Sequence, residues 1–595
     1  MNIPRPEYPR PQFVRKDWLC LNGEWQFEID CGNSGIERGL KERELTNRIL
    51  VPFCPESELS GIGNVDFMNV VWYRKEVKIP EDWKGRDVLL HFQACDYDTT
   101  VWVNSVEVTR HRGGFTPFTC DLTGIAGPGE TAVIVVRARD NDRGPLPRGK
   151  QSNKFENWGC FYTRTTGIWQ TVWMEPVPDF YLKRPRITPN VGYSRFEVLQ
   201  PLRRPFDGGT VRLTAKDKQG VVCMAETKTG LDFSPRLCLD IPADRLQLWS
   251  HENPFLYDLE IELLDANGMV IDSATSYAGM RSVTIDGMAV KINGKTVFQR
   301  LVLDQGYYEN GIMTAPSDEA LVKDIELSIA AGFNGARLHQ KVFEERFLYH
   351  ADRLGYLVWG EFADWGHGLG SPRLHHQNLG ATYITQWIEA VERDYSHPSI
   401  IGWCGLNESF EDIDDYIHDL DDVTRGMFLA AKALDGTRPV LDASGYAHRV
   451  RCSDIYDSHD YNQDPAEFKK IMAPLSEGKP FINDRPQGAR ISIDYGGQPY
   501  FVSEFGGIRW NPEAAESDES WGYGDAPKTI EEFYARFEGL CNVLLDDPNM
   551  FGYCYTHLTD VFQEQNGIYF FDRSLKFDMD RIRKIQTRTA AIEKA

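Results

Sequence analysis

Ser399-Ile400-Ile401-Gly402-Trp403-Cys404-Gly405-Leu406-Asn407-Glu408-Ser409 is an apolar run that ends on an Asn-Glu pair. A second run, Pro499-Tyr500-Phe501-Val502-Ser503-Glu504-Phe505-Gly506-Gly507, also ends on a glutamate. Both are short, continuous and bounded by turn residues, so each reads as a strand buried on both faces. A lone glutamate after a strand is ordinarily a salt-bridged structural residue. Two of them on strands of one barrel form a facing carboxylate pair, which is what hydrolysis of a glycosidic bond needs.

The surroundings supply that barrel. Beyond Gly287, helical periodicity alternates with short apolar strands. Ser317-Asp318-Glu319 opens a helix with Leu321, Ile325 and Ile329 on one face, ended by Gly332. Further helices are expected around Phe343–Leu354, across Ile384, Ile388 and Val391 before Pro398, and over Asp412–Leu434. Between them lie eight candidate strands: Val297–Asp304, Ala336–His339, Tyr356–Phe362, Ile400–Glu408, Pro439–Ala443, Asp454–Tyr461, Tyr500–Glu504 and Phe551–Asp560. That alternation predicts a (β/α)8 barrel, with Glu408 closing the fourth strand and Glu504 the seventh. Both then sit on the C-terminal rim, where such barrels keep their chemistry. An open doubly wound sheet is the rival, but no Gly-rich phosphate loop follows the first strand.

Upstream the chain reads as all-β. Glu24-Trp25-Gln26-Phe27-Glu28-Ile29, Val71–Val77, Val88–Phe92, Thr100–Val103 and Ala132–Arg137 recur between turn signals, as in a β-sandwich. A second stretch, from about Pro185 to Gly279, has the size of one immunoglobulin-like sandwich. The expected domains are therefore 1–180 and 181–280, both β-sandwiches, and 281–595, the barrel.

Bulk composition narrows the partners. The 595 residues are 42% hydrophobic and 12% aromatic with 15 Trp, enough for large cores and for flat platforms under sugar rings. A formal charge of −23 argues against nucleic acid. No stretch has the length of a membrane span. The N-terminus lacks an apolar signal-like region, and the 12 Cys are scattered without CxxC spacing. Reduced thiols in a cytoplasmic protein are the expectation. The partner expected is a small oligosaccharide or glycoside, and the composition leaves room for a homo-oligomer.

Several motifs make the chain resemble glycoside hydrolase family 2, which includes β-galactosidases, β-glucuronidases and β-mannosidases. They are Leu21-Asn22-Gly23-Glu24-Trp25, Val101-Trp102-Val103-Asn104, Thr166-Gly167-Ile168-Trp169-Gln170, Lys291-Ile292-Asn293-Gly294-Lys295, Asn407-Glu408 and Ser503-Glu504-Phe505-Gly506. The resemblance covers nearly the whole chain. It implies a jelly-roll sugar-binding domain, an immunoglobulin-like domain and a catalytic barrel, with Glu408 as general acid/base and Glu504 as nucleophile. Retention requires one carboxyl protonated and the other ionised about 5 Å away. The expectation is that burial and the charge of Glu504 keep Glu408 protonated, while Arg337 and Tyr461 keep Glu504 ionised.

The same resemblance gives Asn407 a contact to the sugar 2-hydroxyl and places Asp304 and Gln305 against distal hydroxyls. His339 is either a sugar contact or a structural histidine, and Glu361 either braces the barrel or touches sugar. Tyr555 resembles an aromatic floor; Trp365, Trp510 and Trp521 are aromatic walls or core. Two departures bear on specificity. The Asn-x-Lys motif by which β-glucuronidases of the family hold the sugar carboxylate has no Lys in Thr559–Tyr569. Glu361, Asp364 and His367 only loosely match the magnesium ligands of large β-galactosidases, so no metal or other cofactor is expected. A third departure, Ser105 for the usual Gly after Asn104, alters only a hairpin turn. The reading is a retaining, exo-acting β-galactosidase, or an enzyme for the related α-L-arabinosides. A β-glucuronidase or β-mannosidase is the alternative within the family, and an inactive carbohydrate-binding protein the alternative outside it.

Overall fold

A computed structural model describes residues 3–141, 146–365, 379–409, 411–484, 490–512 and 520–594. Its apolar side chains gather into three main cores that follow the chain. The first joins Leu21, Trp25, Phe27, Tyr73, Phe92 and Met174 between two antiparallel sheets. One sheet runs Asn47–Val51, Gly23–Ile29, Val70–Lys78, Thr131–Arg139, Asp98–Val103 and Val106–Arg112 in spatial order. The other runs Leu19–Cys20, Val172–Val177, Asp87–Phe92 and Phe118–Asp121. Asn104 and Ser105 both have positive φ, at 49° and 67°, and make the tight turn between two of these strands.

The second core, around Phe196, Leu213, Leu239, Tyr257 and Ile261, lies between a three-stranded and a four-stranded sheet. Strand Tyr257–Leu264 alternates buried and less buried residues, as a half-solvated antiparallel strand should. The twelve cysteines are free.

The third core fills the barrel and its helices. All eight expected strands are present: β1 (Gln299–Asp304), β2 (Gly335–Leu338), β3 (Leu357–Glu361), β4 (Ile400–Asn407), β5 (Val440–Ser444), β6 (Tyr456–Asp460), β7 (Tyr500–Gly506) and β8 (Met550–Thr556). Parallel ladders join them in the order β5-β4-β3-β2-β1-β8-β7-β6. The helices between them start on capping signals. Helix α1 (Asp318–Ala330) follows Ser317, whose Oγ accepts from the Ala320 N–H at 3.3 Å, and buries Leu321 and Ile325. Helices α2 (Glu345–Leu354) and α3 (Ala381–Asp394) follow the expected spacing. Helix α4 (Asp419–Leu434) starts seven residues later than the acidic, periodic stretch suggested. The His418 N–H donates to Asp421 at 2.8 Å in a capping box, and the Ile413 N–H pairs with the Arg490 carbonyl at 2.7 Å instead of a helical partner.

Among the described residues no ladder joins β5 to β6. Side chains close that seam. Asp457 on β6 accepts from Ser444 Oγ at 2.9 Å and from the Gly445 N–H at 3.0 Å. His448 lies between Asp442 Oδ1 at 2.9 Å and Asp457 Oδ1 at 3.1 Å. Burial alone would lower its pKa, but the two carboxylates push it up to about 10. A histidine raised in this way stabilises the fold fully below its ordinary value near 6.5, and the contribution drains away as pH rises toward about 10. His448→Gln should therefore cost the most stability at and below pH 6.5, on the order of a few kcal/mol, and lower the melting temperature most there. The gap to the wild-type protein should close by about pH 10. Melting curves of both proteins across that range measure this, and a constant gap would contradict a charged His448.

Candidate active site

The two glutamates meet at the barrel mouth. Glu504 lies within β7, 3% exposed. Glu408 follows β4 with φ at +47°, in the left-handed region that costs a non-glycine residue roughly 1–3 kcal/mol. Its N–H donates to the Ser444 carbonyl at 3.1 Å, which holds that turn. One oxygen of each carboxylate and a ring nitrogen of His459 all lie within 4.8 Å of one another.

Glu504 is surrounded by donors. Arg337 on β2 reaches Oε1 at 3.1 Å, and the Tyr461 hydroxyl donates to Oε2. Tyr461 stacks on Tyr523 at 3.4 Å with the rings 2° from parallel, and its phenol is pushed well up by burial and by the Glu504 charge. It is thus a dependable donor. Arg337, fully buried, also donates to Asn407 Oδ1 and to the Ser503 carbonyl at 2.9 Å, while its Nε pairs with Glu361 at 2.5 Å. Glu361 further accepts from the Gln340 N–H at 2.9 Å and faces His339 Nδ1 at 3.1 Å. Of its two expected roles Glu361 takes the bracing one. His339 Nε2 lies 3.8 Å from Glu504, and burial together with the Lys150 charge pushes its pKa well down. With its carbonyl pinned by Arg337, Asn407 keeps a buried Nδ2 that has no hydrogen-bond partner among the described residues.

Glu408 departs from expectation. Burial pushes its carboxyl up, but the hydrogen bond from His459 Nδ1 at 2.6 Å, the charge of that ring and the Trp365 indole N–H at 2.9 Å bring it below its ordinary value. The charge of Glu504 does not raise it above that value, because a basic ring lies between them. His459 was not foreseen, although strand alternation offered the signal. Asp457, His459 and Tyr461 share a face of β6, and Tyr461 was already a candidate.

Other candidates divide. Tyr555 is a correction: its ring packs at 5.6 Å on Phe505 and 5.1 Å on Phe537 of α5 (Ile530–Leu545), so it belongs to the outer core. Its neighbour Thr556 faces the mouth and contacts the Tyr461 hydroxyl at 3.0 Å. Asp304 is similarly displaced by alternation. Leu303 is in register with inward-facing Arg337, so Asp304 turns outward, where it accepts from the Gly306 N–H at 2.9 Å and meets the charges of Asp324 and Arg573. Gln305 contacts His557 Nδ1 at 3.3 Å. Trp510 packs 6.5 Å from Phe533 of α5, and Trp521 lies edge-on to Tyr523 at 5.1 Å.

The two described members of the loosely magnesium-like set are engaged elsewhere. The Glu361 carboxylate is turned to Arg337, whereas Asp364 accepts from the Asn407 N–H at 3.1 Å and Ser409 Oγ at 2.6 Å. His367 lies outside the described residues.

The first sandwich completes the mouth. Gly149, with φ at +56°, donates its N–H to the Ala363 carbonyl at 2.9 Å, and a Cβ there would fall 2.2 Å from the Gln340 carbonyl oxygen. That close approach delivers Lys150, whose Nζ lies 3.7 Å from Glu564 and 5.6 Å from the Trp365 ring. Phe161 packs on Trp365 at 4.4 Å, and the Tyr162 hydroxyl donates to Glu564. Burial would raise Glu564, yet Lys150, His557 and Tyr162 bring it below its usual value, so it is ionised. No local pattern in Arg148-Gly149-Lys150-Gln151 announces any of this.

Three family models match the chain. The model for "Glycosyl hydrolases family 2, sugar binding domain" matches residues 19–146, "Glycosyl hydrolases family 2" matches 195–281, and "Glycosyl hydrolases family 2, TIM barrel domain" matches 284–498. A β-glucuronidase of Paenibacillus borealis is 27% identical over 452 residues, covering 71% of this chain and 72% of that protein. A β-galactosidase of Thermoanaerobacter pseudethanolicus is 25% identical over 546 residues, covering 84% and 68%. The structure of a β-glucuronidase from Ruminococcus gnavus in complex with D-glucuronic acid shares the fold, with a TM-score of 0.75, 19% identity and coverage of 98% and 99%.

Arg337 gives the sharpest test of this arrangement. Arg337→Gln leaves Glu361 and Glu504 buried without their cation, a change worth about 3–5 kcal/mol. The variant should melt earlier and lose about 10²–10³ in kcat, measured by calorimetry and by turnover of an activated aryl glycoside. Wild-type turnover in the variant would remove Arg337 from the carboxylate's support.

Proposed function

The chain belongs to glycoside hydrolase family 2 and is a glycosidase; we propose that it is exo-acting and releases terminal β-D-galactosides, or the related α-L-arabinosides, with retention. The spacing of the carboxylates carries the retaining part of the reading. An oxygen of each carboxylate within 4.8 Å of the other fits the separation of about 5 Å of a retaining pair better than the roughly 6.5–9.5 Å of an inverting pair. Glu504 attacks the anomeric carbon while Glu408 gives a proton to the departing oxygen. Water, deprotonated by Glu408, then displaces Glu504, and two inversions restore the β-configuration. Asn407 Nδ2 donates to the 2-hydroxyl. The wall of Lys150, Phe161 and Tyr162 favours chain-end substrates.

The choice of glycone rests on charge. The stretch Thr559–Tyr569, which corresponds to the β-glucuronidase motif, holds Glu564 and no lysine, and the next lysine, Lys576, is paired with Asp560 at 2.7 Å. Lys150 already faces Glu564. A uronate there would add a second negative charge to one lysine, and burying an unpaired charge costs several kcal/mol. A β-glucuronide is the second reading. It is favoured by the 3.7 Å gap at Lys150, too long for a hydrogen bond and open to a sugar carboxylate, and by the β-glucuronidases among the relatives.

Aryl β-galactoside, α-L-arabinopyranoside, β-glucuronide and β-mannoside, assayed side by side, decide between them. The galactoside or arabinoside should exceed the glucuronide by about 10²-fold in kcat/KM, as a few kcal/mol implies. A faster glucuronide would install the second reading, and no turnover of any would leave a sugar-binding protein.

The two glutamates should fail differently. Glu408→Ala should still form the glycosyl-enzyme from a dinitrophenyl glycoside and then stall. Azide should relieve that stall and give a β-glycosyl azide. Glu504→Ala with azide should give the α-azide by single displacement. NMR of the products reads the configurations, and the opposite pair would exchange the two roles.

A further inference from the structure

His459 sits between the two carboxylates, and the hydrogens available around it can be counted. Its Nε2 lies 2.9 Å from Ser444 Oγ, and its Nδ1 lies 2.6 Å from Glu408 Oε1 and 3.4 Å from Glu504 Oε2. Ser444 has a single hydroxyl hydrogen. Asp457 Oδ2 lies 2.9 Å from the same Oγ and also accepts from Ser503 Oγ. The hydrogen bonds of Asp457 and the charge of His448 hold it ionised despite burial, so Asp457 can only accept. Two oxygens at 2.9 Å with no hydrogen between them repel, so the Ser444 hydrogen goes to Asp457. Nε2 of His459 must then be the donor to Ser444. The same count applies on the other side of the ring, where a bare Nδ1 against a bare carboxylate oxygen at 2.6 Å would also repel. One more hydrogen must lie between Glu408 and His459.

We propose that Glu408 and His459 together hold the single proton used in glycosidic cleavage, with His459 as the residue that positions and stores it. This rests on the retaining-glycosidase reading and adds a group to it. The groups facing the ring agree with a retained proton. Glu408 from β4, Glu504 from β7, Glu361 from β3 and Asp457 from β6 favour it, Arg337 from β2 opposes it, and His339 is itself held neutral. Burial lowers His459, but Glu504 and Glu408 outweigh burial and raise it. Lys150, from the first sandwich, acts on Glu408 instead, and Tyr446 presents its ring to the imidazole at 5.9 Å.

The proton balance closes. In the first displacement the shared proton moves to the aglycone oxygen as its bond to the anomeric carbon breaks and Glu504 bonds that carbon. Glu408 Oε1 and His459 Nδ1 are then two acceptors face to face. The incoming water gives them one hydrogen as its oxygen displaces Glu504, which restores the resting state with no change of oxidation level.

The pH dependence of kcat/KM tests this with two substrates of the preferred glycone. A phenyl glycoside needs the proton, whereas a dinitrophenyl glycoside does not. In His459→Gln the alkaline limb for the phenyl substrate should move down by about one unit, a tenfold loss on the alkaline side, and the limb for the dinitrophenyl substrate should stay. An equal loss at every pH for both substrates would assign His459 a structural role only and overturn the proposal. Ser444→Ala, which frees Nε2 and keeps the ring, should shift the limb in the same direction by less and serves if His459→Gln does not fold.

Histidine NMR, with the His459 signal assigned from His459→Gln, decides without turnover. An imidazolium that persists above pH 6.5 in the wild-type protein and not in Glu408→Gln supports the shared proton. A neutral Nδ1–H tautomer at that pH overturns it. A working enzyme with an unmoved limb fails this proposal alone, whereas no turnover on any glycoside fails the functional reading and leaves the NMR result to decide the proton.

Discussion

The Arg337 guanidinium is the contact on which the site depends. Anchored on β2, it touches Glu361 on β3, Asn407 on β4, and both Glu504 and the Ser503 carbonyl on β7. A cation buried at that depth is stable only with anions beside it, and those anions are stable only with it. The planar fork reaches several acceptors at once, which an ammonium cannot do. It thereby orients Asn407 with an amide N–H that has no partner among the described residues, and keeps the Glu504 carboxylate facing the mouth.

A second constraint comes from outside the barrel. The first sandwich presses Gly149 against the Gln340 carbonyl and sets Lys150, Phe161 and Tyr162 at the rim. The charge of Lys150 is felt by Glu408, His339 and Glu564. The character of the pocket therefore belongs to two domains, and a barrel alone would lack the aromatic wall on Trp365 and the cation beside Glu564.

Much of the site was legible because alternation along a strand is a strong rule. Arg337, Asn407, Tyr461 and the two glutamates were found on strand ends and do converge. The same rule explains the misses. Tyr555 and Asp304 each sit one residue from an inward position, and a one-residue slip of parity moves a side chain from the mouth to the outer core. Helix α4 began late because the His418–Asp421 capping box competes successfully with the periodic residues before it.

By itself the sequence determined the three-part order of the chain, the eight barrel strands, and the pair of glutamates closing two of them, since periodicity and turn chemistry are local properties. Tertiary structure decided which charged groups surround the pair and the mouth above it. Both depend on groups far apart in the chain: His459 lies 51 residues from Glu408, and Lys150 lies in another domain from Glu564. Electrostatic shifts follow distance and burial in space. No spacing along the chain encodes them.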